Sequence, residues 1–154
     1  MVRDRRPLID PHLLILNDMF NTHTGWGRMI DSVRDGACCR IRFTHLDGVW
    51  SLHRRAGIAT LVEGPPADPD VCLFLSPRSV DQLASVGNDI GDCAVAVLHC
   101  IMEGSAELLL LAPASRLARR GYLRLVLASA PALRRYAAEN NLDTRLVAAR
   151  LRSQ

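Results

Sequence analysis

Hydrophobic positions change period along this 154-residue chain, and the changes divide it into helical and extended stretches. Residues 11–34 carry a helical but loosely patterned run, broken near Thr24-Gly25-Trp26-Gly27, with a second helical piece over 28–34. Asp35-Gly36 then reads as a turn. From there the period drops to two. Cys39, Ile41 and Phe43 alternate with Arg40, Arg42 and Thr44, as on a half-buried strand. Asp47-Gly48 is a hairpin signal, because a tight primed turn needs the positive φ that these residues tolerate. Trp50 and Leu52 alternate with Ser51 and His53, and Ala56-Gly57 turns the chain into a third strand over 58–63. Gly64-Pro65-Pro66 ends it, since proline has no N–H for a ladder. The 71–75 run is apolar on both faces, which predicts an internal strand.

Ser76-Pro77 opens a short helix, with Ser76 or Ser79 as cap and Val80, Leu83 and Ala84 facing inward. Residues 87–92 read as a loop. The 93–103 run is open to helix or strand. Its β-branched Val95, Val97 and Ile101, and the sharp Glu103-Gly104-Ser105 break, favour a strand. Ser105 then caps a helix with Glu107 in its first turn, interrupted at Pro113. Helices are expected over 114–129, from Pro131 to Glu139, and over 142–152 beyond Asn140-Asn141. Three parts follow: an N-terminal helical segment (1–37), an α+β body (38–130) and a C-terminal helical extension (131–154), within one structural domain.

Composition fits such a domain. Hydrophobic residues make up 49% and charged residues 23%, a globular and not a disordered balance. The net charge of +3 is unevenly spread. From Pro113 to Gln154, nine arginines face only Glu139 and Asp143, whereas the preceding 112 residues are net acidic. A basic tail on such a body points to an anionic partner or to a solvated arginine surface. The apolar stretch at residues 13–16 is too short for a signal peptide, and the 108–130 stretch holds four arginines, too many for a bilayer span. A soluble, cytoplasmic protein, peripheral to membrane at most, is the expectation. Five cysteines, two adjacent and none in a CxxC pair, predict free and mostly buried thiols.

The element order, with the segments Gly48-Val-Trp-Ser-Leu-His, Ala67-Asp-Pro-Asp-Val-Cys-Leu-Phe-Leu-Ser and Ile101-Met-Glu-Gly-Ser-Ala-Glu-Leu-Leu-Leu, resembles the sterol carrier protein type two family of lipid-binding domains. The likeness runs over about residues 38–117. It departs where Gly87-Asn-Asp-Ile-Gly-Asp replaces a family helix, and where the chain extends to Gln154. The resemblance implies an α+β fold: a five-stranded, mostly antiparallel sheet backed by helices, an apolar cavity between them, and an extended C-terminal helical segment. It implies non-enzymatic binding or carriage of a sterol, fatty acyl or isoprenoid lipid, in some bacterial relatives as an accessory to ubiquinone biosynthesis. The competing reading is an interaction or dimerisation domain with a filled core.

On the lipid reading, Trp50, Leu52, Leu73, Leu75, Leu98, Met102, Leu109 and Leu110 are the candidate cavity wall, and on the competing one they are ordinary core. Arg116, Arg120 and Arg124, four residues apart with Arg119 beside them, form a ridge on the expected helix, opposite Leu117, Tyr122, Leu125 and Val126. Such a face suits an anionic bilayer, and the other open partners are a second copy or a partner enzyme. Nucleic acid is not expected, since Tyr122 and Tyr136 are the only aromatics of the basic segment. His12, His23, His45, His53 and His99 match no HExxH or other paired ligand spacing, and no GxSxG or phosphate loop is present. No catalytic residue, metal or cofactor is therefore expected.

Overall fold

The computed structural model describes residues 10–22, 24–143, 145 and 149. His23, the basic residues Arg3, Arg5 and Arg6, and most of the helix expected over 142–152 lie outside them. The elements are α1 (Pro11–Thr22), α2 (Thr24–Ser32), β1 (Cys38–Phe43), β2 (Trp50–Arg55), β3 (Ile58–Glu63), β4 (Val71–Leu75), α3 (Pro77–Ala84), α4 (Ile90–Glu103), β5 (Ala106–Leu110), α5 (Ala114–Arg119) and α6 (Tyr122–Glu139). The fold is α+β, and the five strands form one sheet in the order β3-β2-β1-β4-β5. Only β1 and β4 pair in parallel. β4 lies between β1 and β5, the internal place its two-sided apolarity predicts.

Register decides what each sheet face carries. Cys39 stands beside Leu52 and Val71, Ile41 beside Trp50 and Leu73, and Phe43 beside Leu75. Because side chains alternate along a strand, these residues share one face with Leu108 and Leu110 of β5. Helices cover that face. The opposite face presents polar and charged groups: Arg42 lies over the Phe74 ring, and Arg40 Nε donates to Cys72 Sγ at 3.4 Å. The buried core gathers Leu16 and Met19 of α1, Trp26 of α2, Ile41, Phe43 and Trp50 of the sheet, and Val80 and Leu83 of α3. The indole N–H of Trp26 donates to the carbonyls of Leu83 and Val86, fixing α2 against the end of α3.

The 93–110 region reverses the expected pair of elements: 93–103 belongs to a helix, and the strand is the segment after Ser105. The helix is closed at both ends by its own sequence. Asp89 accepts from the Asp92 N–H at its start, and Gly104, at φ 82°, ends it in the left-handed region that glycine adopts without a Cβ penalty. Between these caps Cys93, Val97, Cys100 and Ile101 recur at helical spacing and point into the core. The three consecutive leucines of β5 favour helix intrinsically, but pairing with β4 and burial of Leu108 and Leu110 on the helix-covered face override that preference.

The long helix expected over 114–129 is two helices. Gly121, at φ 91°, separates α5 from α6. A Cβ there would lie 2.6 Å from the Ser32 carbonyl oxygen and 3.0 Å from Val33 Cα, so the chain crosses the end of α2 only with glycine. The Arg34 N–H donates to the Arg120 carbonyl at the same crossing. Pro131, expected to start a helix, sits inside α6. Gly121→Ala is therefore expected to destabilise the protein by about 2 kcal/mol or more, from left-handed strain plus the close contact, as read by urea unfolding.

Candidate functional site

The helices do not fill the space they enclose. Between the sheet and α2, α5 and α6 lies a cavity of about 590 Å³, within the size range of small-ligand sites. Cys39, Ile41, Leu52, Val71, Leu73, Leu108 and Leu110 form its floor. Met29 and Ile30 of α2 and Val33 just after it wall one side, and Leu117, Leu123, Leu125 and Val126 arch over the other. The lining is almost wholly apolar, with His53, Arg54 and Tyr122 its main polar groups. Leu123 and Val126 belong to the wall yet are 53% and 56% exposed, so the cavity opens to solvent along α6.

The arch stands because of Asp70. This carboxylate is wholly buried at the start of β4. Its Oδ2 accepts from the Cys38 N–H at 3.0 Å and the Tyr122 hydroxyl at 3.3 Å. Arg116 Nε lies 3.3 Å from Oδ1 and Arg120 Nη1 lies 3.7 Å from Oδ2. The Arg116–Asp70 contact is an ion pair without hydrogen-bond alignment, while the same guanidinium makes aligned bonds to Asp68 at 2.6 and 2.7 Å and to the Pro69 carbonyl. The Asp70 backbone carbonyl also accepts from Leu111 and Ala112, just before α5.

Of the eight candidate wall residues, the structure brings Leu52, Leu73 and Leu110 to the cavity. Trp50 and Leu75 are on the same face but in the filled core beyond the cavity, where Trp50 meets Phe43 edge-on at 5.3 Å. Leu98 and Met102 are on α4, outside the wall, as the helical form of that segment dictates. Leu109 pairs with Cys72 and points to the opposite sheet face. The arginine ridge does not survive as one face: Gly121 puts Arg124 on a separate helix, and within α5 Arg119 parts from its neighbours. Arg116 and Arg120 turn toward Asp68 and Asp70, whereas Arg119 and Arg124 are exposed.

Three contributors went unread in the sequence. The wall formed by the end of α2 and the residue after it has helical spacing at Met29, Ile30 and Val33, a usable signal within a loosely patterned run. Arg54, on a strand whose neighbours alternate, carries its guanidinium at the cavity edge. It donates to the Val33 carbonyl and lies 3.8 Å from Asp35, while its buried Nε has no hydrogen-bond partner among the described residues. Asp70 gave no signal beyond its place in the Ala67-Asp-Pro-Asp run.

The thiols are poorly suited to nucleophilic work. All five cysteines are free. Cys38 Sγ lies 4.0 Å from His53 Nε2, but burial and then the Asp70 charge raise its pKa, the reverse of what activates a nucleophile. Burial, with Asp89 and Asp92 nearby, pushes the Cys93 thiol up to about 12. Cys39 faces the cavity, and burial there raises its pKa strongly. His99 bonds the Tyr136 hydroxyl at 2.8 Å and lies 3.5 Å from Glu103, while Cys100 contacts Gln82.

Fold and cavity together define the class: an α+β domain enclosing an apolar, solvent-connected cavity between its sheet and its helices. No protein-family profile matches the chain, and no curated protein matches it either. Solved structures do. The chain is similar to "UbiJ-SCP2 Ubiquinone synthesis protein" at 11% identity and a TM-score of 0.48, over 81% of this chain and 92% of that one. It is similar to the sterol carrier protein domain 2 of Helicoverpa armigera at 16% identity and a TM-score of 0.44, over 77% and 85%. Similarity extends to the stereoselective inverting sec-alkylsulfatase Pisa1 from Pseudomonas sp. at 19% identity and a TM-score of 0.39, over 63% of this chain and 14% of that one.

Two outcomes follow from the Asp70 cluster. Asp70→Asn is expected to cost about 3 kcal/mol, because it leaves two guanidinia facing a neutral amide; urea unfolding measures it. Burial and the Asp70 carboxylate also raise the Tyr122 phenol well above its ordinary value. A raised acid contributes stability below the unfolded-state pKa, near 10, and loses it as pH rises beyond. Stability should therefore fall above about pH 10 in the wild type, and this decline should be smaller in Tyr122→Phe.

Proposed function

We propose that this domain binds the hydrocarbon part of a lipid in the cavity between its sheet and helices, without catalysing a reaction on it. The observation that carries the reading is the cavity itself: about 590 Å³, lined almost entirely by apolar side chains and open along α6. Each buried CH₂ contributes roughly 0.8 kcal/mol, so a sterol, fatty acyl or isoprenoid chain needs little polar recognition. Arg54 is placed to meet an anionic or polar head at the cavity edge. An interaction domain with a filled core accounts less well for apolar walls that enclose unfilled space. An accessory role in lipid or quinone biosynthesis belongs to the same reading, with the carried lipid to be identified by extraction.

The cavity mouth supplies the means of loading. Leu123, Val126 and Leu127 stand at helical spacing on α6 and are all more than half exposed. Exposed Arg119 and Arg124 flank them. An apolar stripe between guanidinia fits the boundary of an anionic bilayer, leucines among the acyl chains and arginines on the phosphates. No helix among the described residues is long and apolar enough to cross a membrane, so the contact would be peripheral.

Organic extraction of the purified protein with mass spectrometry is expected to release a lipid, and a fluorescent fatty acid should bind competitively with it. Leu73→Trp, which projects an indole into the cavity, should abolish that binding while leaving the far-UV circular dichroism unchanged. Wild-type binding no better than that of Leu73→Trp would refute the carrier reading. Flotation with phosphatidylglycerol vesicles should retain the protein and lose it on Arg119→Glu with Arg124→Glu. Retention of the double variant would remove the arginines from the contact.

A further inference from the structure

A second cluster lies in another part of the fold. Asp10 precedes α1, and its Oδ1 accepts from the His12 N–H at 2.9 Å, which orients the carboxylate at the helix start. Its Oδ2 lies 3.3 Å from Nε2 of His45, in the turn between β1 and β2. His12 Nδ1 lies 3.6 Å from Oδ1 of the same carboxylate. One ligand atom from each of Asp10, His12 and His45 can be chosen so that all lie within 4.8 Å of one another. The side chains of Asp10 and His12 are about four-fifths buried, at 21% and 20% exposure, and that of His45, on an exposed turn residue, is 25% exposed, although 33 residues separate the two histidines in the chain.

We infer that Asp10, His12 and His45 form a binding site for a divalent transition-metal cation of the zinc class. Ligand atoms 2.0–2.1 Å from a tetrahedral ion stand about 3.3–3.4 Å apart, and the two histidine–carboxylate separations, made through the two different oxygens of Asp10, are of that scale at 3.6 and 3.3 Å. Two imidazoles and a carboxylate favour zinc and its neighbours over magnesium or calcium, which take oxygen ligands.

The outer contacts carry the argument further. When His12 presents Nδ1 to the ion, its Nε2 faces Asp81 Oδ1 of α3 at 3.5 Å. Metal-bound histidines regularly donate their second N–H to a carboxylate, which fixes the tautomer and the ring orientation. His45 is held by edge contacts with Phe43, itself core, at 5.8 Å and with His12 at 5.3 Å. The ligands thus come from the start of α1 and the β1–β2 turn, with α3 supplying the orienting carboxylate, so a bound ion would clasp three otherwise separate segments. Three protein ligands leave a position for water or an exogenous donor.

The test uses the full chain, stripped with a chelator and kept reduced with a phosphine, titrated with Zn²⁺ by calorimetry. One equivalent is expected to bind, with a raised Tm and no response to Mg²⁺. His45→Ala and His12→Ala should lose the heat. Asp81→Asn, at a 63% exposed side chain and so without consequence for folding, should weaken affinity roughly 10–100-fold. Co²⁺ in place of Zn²⁺ should give the visible spectrum of nitrogen and oxygen ligation. Absence of binding, or binding unchanged by His45→Ala and Asp81→Asn, would overturn the site and leave the cluster as an ion-pair network.

Discussion

One buried carboxylate organises the cavity-bearing half of this molecule. A buried charge is tolerated only when it is compensated, and Asp70 is compensated from four sides: the β1 backbone and the Tyr122 hydroxyl donate to Oδ2, and two guanidinia offset the charge as ion pairs. These partners sit on elements that would otherwise have little reason to stay together. α5 is six residues long and buries no side chain completely, so its position depends on Arg116 and on the backbone bonds from Leu111 and Ala112 to the Asp70 carbonyl. The arch over the sheet is therefore held by polar contacts at its foot. Its apolar side is left free to face a cavity.

That division explains how the domain tolerates unfilled apolar surface. Space lined by leucine and valine forgoes dispersion contacts, and a domain that held its helices only by core packing would collapse into it. Here the core proper, around Phe43, Trp50, Leu75, Val80 and Leu83, lies toward α1 and α3 and is filled. The cavity lies toward α2, α5 and α6, where Gly121 and the Asp70 cluster fix the backbone. Stability and vacancy occupy different parts of one sheet face.

The sequence conveyed the sheet well because local rules govern it. Alternation at Cys39–Phe43, the Asp47-Gly48 turn and the two-sided apolarity of 71–75 are read by short-range chemistry, and the strands formed there. It conveyed 93–110 poorly. Val95, Val97 and Ile101 suggested extension, yet the Asp89 cap and Gly104 terminus were equally local and decided for a helix. That inversion displaced three of the expected wall residues: Leu98 and Met102 went to α4, and Leu109 went to the outer face of β5. Leu52, Leu73 and Leu110 reached the cavity because strand alternation placed them correctly in parity. The Asp10–His12–His45 cluster was invisible for a different reason. Asp10, His12, His45 and Asp81 share no spacing, and only the packing of α1 and α3 near the β1–β2 turn brings them within reach.

The arginines show most clearly why a surface role cannot be assigned by periodicity alone. Read as one helix, Arg116, Arg119, Arg120 and Arg124 make a continuous basic ridge. Gly121, in the left-handed region, ends α5 and leaves Arg124 on a separate helix, while within α5 helical spacing already parts Arg119 from Arg116 and Arg120. Two of the arginines then serve Asp70 inside, and two remain outside beside Leu123, Val126 and Leu127. One basic segment thus supplies both the bolt that holds the cavity open and the charge that could bring its mouth to an anionic surface. Reversing the inner pair would remove the cavity's support, and reversing the outer pair would leave the support intact, so the two roles are separable residue by residue.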